Sequence, residues 1–218
     1  MGPREFRGER CMPKWQATVA LLMLSTMSLT VGAKAGEYES EFGFDISVPD
    51  VWLVLTRSEV ADDAENFLGS RGSSGLGSVP LAMRRMVFDR VQAGELEIFY
   101  RRDGMSGSFV DNVNVLMQPA NLPSTPEQLA RICQILPSEF SRVFGRPIAM
   151  DFCEIRERVN RRSLYLQFDG AIPGTTTLQY QIQRSRNATL ILTATAATEN
   201  LPRMMGEFEE MIASIRLR

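Results

Sequence analysis

Beyond residue 35, every cation of this 218-residue chain is an arginine, and the whole sequence has no histidine. Without imidazole there is no ready base for a Ser or Cys nucleophile and no His ligand for zinc or iron. Without lysine there is no Schiff base and no phosphate-cradling loop. Carboxylate and arginine chemistry remain. Asp151, Glu154 and Glu157 could supply the two acids of a glycosidase. Glu154 stands one strand step from the face of Asp151, however, and acids on strands are usually solvated or paired with arginine. Asp62 and Asp63 with Glu59 and Glu65 lack the alternate spacing of a calcium loop and read as a solvated helix face. Gly72-Ser73-Ser74-Gly75-Leu76-Gly77 has no lysine after it and no strong buried strand before it, so it is no phosphate loop.

The sharpest candidate is Arg156, Arg158, Arg161 and Arg162. Alternation puts Arg156 and Arg158 on one side of a strand, near an Arg161-Arg162 turn. Guanidinium forks bind carboxylates and phosphates, so the cluster is a candidate site for an anion or an acidic partner. The plainer alternative is an exposed strand balanced by Glu154 and Glu157. No catalytic residue, metal ligand or cofactor is expected.

The compartment is read from the N-terminus. Lys14 precedes an apolar and small-residue run through Val31, and Ala33-Lys34-Ala35 fits the small-x-small pattern of a signal peptidase site. Residues 1–35 are therefore expected to be a secretory signal cleaved after Ala35, leaving a periplasmic or secreted domain of residues 36–218. The alternative is an uncleaved N-terminal membrane anchor. In the cleaved form the membrane is met only in transit. That form carries nineteen arginines and twenty-four carboxylates, a net charge of −5. An acidic exported domain is a poor nucleic-acid binder. Cys133 and Cys153 can form a disulfide clipping a helix to the next strand, or remain two buried thiols. Asn187-Ala188-Thr189 fits a glycosylation sequon, relevant only in a eukaryotic secretory pathway.

The elements that must position these residues follow from periodicity. Residues 42–48 alternate with period two and stop at Pro49-Asp50, and residues 51–55 form a second short strand. Ser58 can cap a brief helix through Leu68, followed by a Gly/Ser-rich loop to Ser78. Residues 84–90 and 95–101 read as strands joined by a Gln92-Ala93-Gly94 turn. A second turn spans 103–108, and residues 110–117 form another strand. Thr125-Pro126-Glu127-Gln128 opens a helix with an N-cap, Pro at N1 and a capping-box Gln. Leu129, Ile132, Cys133, Leu136, Phe140, Val143 and Phe144 give it one apolar face. Pro137 should kink or split it, and Gly145 should end it. Strands follow at 148–156, 163–168, 175–183 and 189–196, with a turn at Asn160-Arg161-Arg162. A last helix over 201–216 buries Leu201, Met204, Met205, Phe208, Met211, Ile212 and Ile215, with Glu207, Glu209 and Glu210 facing water. Short strands with tight connections predict an antiparallel sheet flanked by helices, an α+β fold.

Several segments in this order resemble the PsbP/DcrB-like superfamily of small exported domains. They are Phe44-x-Ile46-x-Val48-Pro49-x-x-Trp52, Val113-Asn114-Val115 before Thr125-Pro126-Glu127-Gln128-Leu129, the hairpin Leu178 to Ile182 with Leu190 to Thr195, and Phe208 through Ser214-Ile215-Arg216-Leu217. The resemblance covers residues 42–217 and implies an α/β/α sandwich. It implies a non-enzymatic binding, assembly or chaperone-like domain acting on another envelope or secreted protein. The alternative function is a small-molecule or lipid carrier with a pocket between the sheet and a helix; a carboxylate-based hydrolase is a distant third.

Overall fold

The computed structural model describes residues 36–57, 81–106 and 109–218. The expected signal segment, the helix over 58–68 and the loop through Ser78 lie outside these residues, as do Glu59, Asp62, Asp63, Glu65 and the Gly72–Gly77 stretch. Ten strands are described. β1 (Gly36–Ser40), β2 (Phe44–Val48) and β10 (Arg216–Leu217) form a small antiparallel sheet. The other seven are β3 (Trp52–Leu55), β4 (Glu97–Ser106), β5 (Phe109–Gln118), β6 (Met150–Arg158), β7 (Arg161–Asp169), β8 (Thr175–Ser185) and β9 (Ala188–Ala197). They form one antiparallel sheet in the order β3-β4-β5-β9-β8-β7-β6. Three α-helices complete the described fold: α1 (Leu81–Gln92), α2 (Pro126–Phe144) and α3 (Leu201–Ser214).

Side-chain alternation assigns the helices to faces. Val113 and Val115, Tyr165, Leu178, Tyr180 and Ile182, and Leu190 and Leu192 all point to one face. There they pack with Met204, Phe208, Met211 and Ile212 of α3 and with Phe44, Ile46 and Val48 of β2. On the opposite face, Leu164, Leu166 and Phe168 meet Leu129, Leu136, Phe140 and Phe144 of α2. At the far end of that face, Leu55, Ile98 and Tyr100 meet Val87, Phe88 and Val91 of α1. The result is the expected α+β sandwich, with α3 and the small sheet on one side and α1 and α2 on the other.

Four sequence expectations are corrected. Residues 84–90 belong to helix α1, because Arg84, Val87, Phe88 and Val91 recur at helical spacing and Ala, Met and Arg are good helix formers. What reads as a hairpin turn is its C-terminal cap: Gly94 sits at φ +69°, with Ala93 N–H bonded to Asp89 O and Glu95 N–H to Arg90 O. α2 is not split at Pro137 and runs unbroken from Pro126 to Phe144. The β6–β7 turn consists of Val159 and Asn160, at φ 56° and 54°, so Arg161 and Arg162 stand inside β7. This is a two-residue left-handed turn of the kind that matches strand twist. Finally, Glu207 and Glu209 do not face water: they flank buried Phe208 and reach down to the sheet on either side of α3.

The caps of α2 form as expected. Thr125 is extended and its Oγ1 accepts from Gln128 N–H at 3.3 Å. The Gln128 side chain reaches back one residue further, accepting from Ser124 N–H at 2.8 Å. Gly145 closes the helix at φ 67°. β1 was not foreseen. Its polar, acidic residues follow directly on the expected cut, and it pairs with β2 from Gly36 against Val48 to Ser40 against Phe44.

Candidate functional site

The four arginines of the candidate anion site do not form one patch. In the β6–β7 register Arg158 faces Arg161, Arg156 faces Ser163, and Glu157 faces Arg162. Arg156, Arg158 and Arg161 therefore share the α3 side of the sheet, and Arg162 projects to the α2 side. Arg162 donates to the Pro123 carbonyl at 3.2 Å, ahead of α2. Arg161 reaches the Gln183 carbonyl at 3.5 Å.

Arg156 and Arg158 are matched from within. Arg156 donates to Glu154 at 2.7 Å, Tyr180 Oη at 3.1 Å and Glu209 at 3.4 Å. Its guanidinium lies 3.5 Å from the centroid of the Tyr165 ring. Arg158 donates to Glu209 at 3.0 and 3.2 Å and lies 5.5 Å over Tyr180. Tyr180 Oη in turn donates to Glu209 at 2.6 Å. Burial, then the bond to Glu209, pushes the Tyr180 phenol up to about 12. Burial pulls the Arg156 guanidinium down, but its bonds to Tyr180 and Glu154 outweigh this and hold it above the ordinary arginine value. At the other flank of α3, Glu207 accepts from Trp52 Nε1 at 2.9 Å and pairs with Arg101. These networks fasten α3 to the sheet and match Arg156 and Arg158 with carboxylates from within, whereas exposed Arg161 and Arg162 have backbone carbonyls as partners.

The carboxylates proposed for hydrolysis do not converge either. Glu154 pairs with Arg156, Asp151 accepts from Gln167 Nε2 at 3.2 Å, and Glu157 projects from the opposite face of β6. Among the described residues, no three His, Cys, Asp or Glu side chains gather as metal ligands. No described helix is long and apolar enough to cross a membrane. Asn187 is exposed in the β8–β9 turn.

A concave feature of the described residues lies on the other face. α1 covers β3 and β4, and α2 covers β6 and β7, so the middle strands between them carry polar side chains. A cleft of about 280 Å³ opens there. Its floor is Asn112 and Asn114 of β5, Thr193 and Thr195 of β9, and Thr177 and Gln179 of β8. Its wall is Phe140 and Phe144 of α2 with Phe168 beneath them, and Phe109 and Ile172 at the ends. Among the described residues, no ionisable side chain lines it.

The floor is tied together across strands. Thr177 and Thr195 hydroxyls lie 3.2 Å apart, Gln179 Nε2 donates to Thr193 at 2.9 Å, and Gln181 donates to Gln179 at 2.7 Å. The wall is an aromatic cluster, with ring centroids of Phe140 at 5.9 Å from Phe144 and 4.5 Å from Phe168. A disulfide between Cys133 of α2 and Cys153 of β6, with Cα atoms 5.7 Å apart, holds the helix against the edge of the sheet.

A signal for the floor exists in the sequence. Thr175, Thr177, Gln179, Gln181 and Gln183 alternate with Thr176, Leu178, Tyr180 and Ile182. Alone, such a polar stripe reads as a water-facing strand; α2 standing beside it makes it a cleft.

No family model matches the chain, and no curated protein matches it. Solved structures to which it is similar include the solution structure of cyanobacterial PsbP from Synechocystis sp. PCC 6803. That likeness has a TM-score of 0.49 and 13% identity, over 89% of this chain and 99% of that one. A Pseudomonas aeruginosa protein of unknown function, PA94, gives 0.46 and 12%, over 84% and 97%. LpqN of Mycobacterium tuberculosis, described as involved in cell envelope biogenesis, gives 0.46 and 12%, over 84% and 90%. At these identities the likeness is one of fold.

Proposed function

We propose that this chain is an exported, non-catalytic binding domain whose working surface is the cleft between α2 and the open middle of the large sheet. The observation that carries this reading is the cleft's chemistry. An aromatic wall and a floor of amides and hydroxyls bind by contact and hydrogen bonding, and among the described residues no ionisable group lines the cleft to move a proton. Export is supported by the disulfide, which belongs to an oxidising compartment. It is also compatible with the fold: Gly36, the residue after the expected cut, already pairs with Val48, so cleavage leaves the described domain whole. Arg156 and Arg158 of the hairpin, in this reading, hold α3 in place through Glu209.

Native mass spectrometry of the protein recovered from the exporting cell tests the proposal. A bound small molecule is expected on the wild type and not on Thr195→Arg, which fills the floor from an exposed-side position. The same mass retained by Thr195→Arg argues against the cleft.

A second reading keeps a protein partner as the ligand. Its support is that Ile135 and Val143 of α2 are exposed at 47% and 67%, apolar side chains on the outer side of the cleft's wall. Crosslinks from α2 to one envelope protein, abolished by Val143→Glu, would favour it.

A further inference from the structure

We infer that the cleft recognises a neutral, polyhydroxylated ring, the sugar unit of a free saccharide or of a lipid headgroup. This rests on the cleft being the binding surface and adds the class of its ligand. Four observations of the lining point to it. The described lining is uncharged, in a mature chain whose net charge of −5 disfavours anions, and among the described residues it offers no carboxylate to a cation. The floor consists of groups that both donate and accept, the complement of a hydroxyl. Thr177, Thr195, Thr193 and Gln179 are already bonded to one another across β8 and β9, which fixes their positions while leaving each hydroxyl further bonding capacity. Asn114, half-buried in the floor, makes no side-chain hydrogen bond within the described residues, and its amide lines the cleft.

The wall supplies the other half of the recognition. The half-buried rings of Phe140 and Phe144 stand beside the polar floor. An aromatic face is negative and attracts the polarised C–H groups of a sugar ring, while the ring's hydroxyls at its edge reach the floor. A purely apolar ligand would strip water from the five half-buried polar side chains of the floor, Asn112, Asn114, Gln179, Thr193 and Thr195, without replacing their bonds. A volume of about 280 Å³ lies just below the ~300–1,000 Å³ usual for drug-sized ligands. It holds a ring and leaves a longer chain or tail outside.

The test is a titration of the isotope-labelled protein with three probes: cellobiose, octyl β-glucoside and octanol. The readout is the side-chain amide NMR signals of Asn112, Asn114 and Gln179. Both sugar-bearing probes are expected to shift these signals, with millimolar dissociation constants, and octanol to leave them in place. Similar affinity for cellobiose and octyl glucoside identifies a free saccharide; markedly tighter octyl glucoside identifies a lipid headgroup. Asn114→Ala, which breaks no side-chain bond among the described residues, is expected to weaken sugar binding about fivefold, the worth of one hydrogen bond. Octanol shifting the signals as strongly as octyl glucoside, with cellobiose silent, would overturn the sugar assignment and leave the cleft as a binding site. No shift with any probe would remove both.

Discussion

Glu209 receives Tyr180, Arg156 and Arg158 at once, and this residue shows how charge is used in the domain. Removing its charge leaves two half-buried guanidiniums without their shared partner. Glu209→Gln is therefore expected to cost ~1–3 kcal/mol in denaturant unfolding. It should also bring the Tyr180 phenol down from about 12, read by phenolate absorbance; an unchanged titration would show that Glu209 does not govern it. Two other acids are buried for structural reasons. Glu97, 4% exposed, accepts from Ser40 Oγ and Glu41 N–H, and Asp111, fully buried, accepts from Ala197 N–H and Asn200. Burial raises both carboxyls above their ordinary values of 4.5 and 3.8, against the pull of those bonds. An acid raised in the folded state binds its proton more tightly there, a gain present below the unfolded value and lost as pH rises through the folded one. Glu97→Gln should therefore gain stability relative to the wild type as pH rises above 4.5. Parallel melting-temperature profiles of the two proteins would contradict this.

Among the elements, α2 depends most on a covalent tie. None of its side chains is fully buried, whereas α3 buries Met204, Phe208, Met211 and Ile212. The disulfide closes a loop of 20 residues, worth ~3 kcal/mol by restriction of the unfolded chain. Cys133→Ser with Cys153→Ser should lose about that much. It should also let α2 amides exchange faster than those of β5, β8 and β9; uniform acceleration across the chain would mean that α2 is not a separate opening unit. The strand-rich half of the fold was legible because its apolar residues alternate, and α2 because Thr125, Pro126 and Gly145 mark its ends. α1 was misread because a short apolar run at 86–88 is compatible with either period, and Gly94 serves equally well as a hairpin turn or a helix cap. Glu209 was misread because helical periodicity locates a buried stripe and is silent about long side chains on its flanks. The arginine cluster was legible as composition. Its division between two faces followed from a turn at Val159-Asn160, which starts one residue before the expected Asn160-Arg161-Arg162 turn.

At the scale of the whole molecule, the sheet separates two chemistries. The α3 side holds the large apolar core and the arginine–carboxylate networks. The α1–α2 side has two small cores and, between them, a concave strip whose described lining is uncharged. A sheet covered end to end would have no such strip; here the helices stand apart and the middle strands carry Thr, Asn and Gln. The central claim is that this strip, and not the arginine hairpin, is where the domain binds. The most direct measurement compares ligand retention, by native mass spectrometry, in two variants: Thr195→Arg in the cleft and Arg161→Glu/Arg162→Glu at the hairpin. The account predicts loss of the bound mass in the first and retention in the second, with both proteins folded. Retention in the first and loss in the second would contradict it.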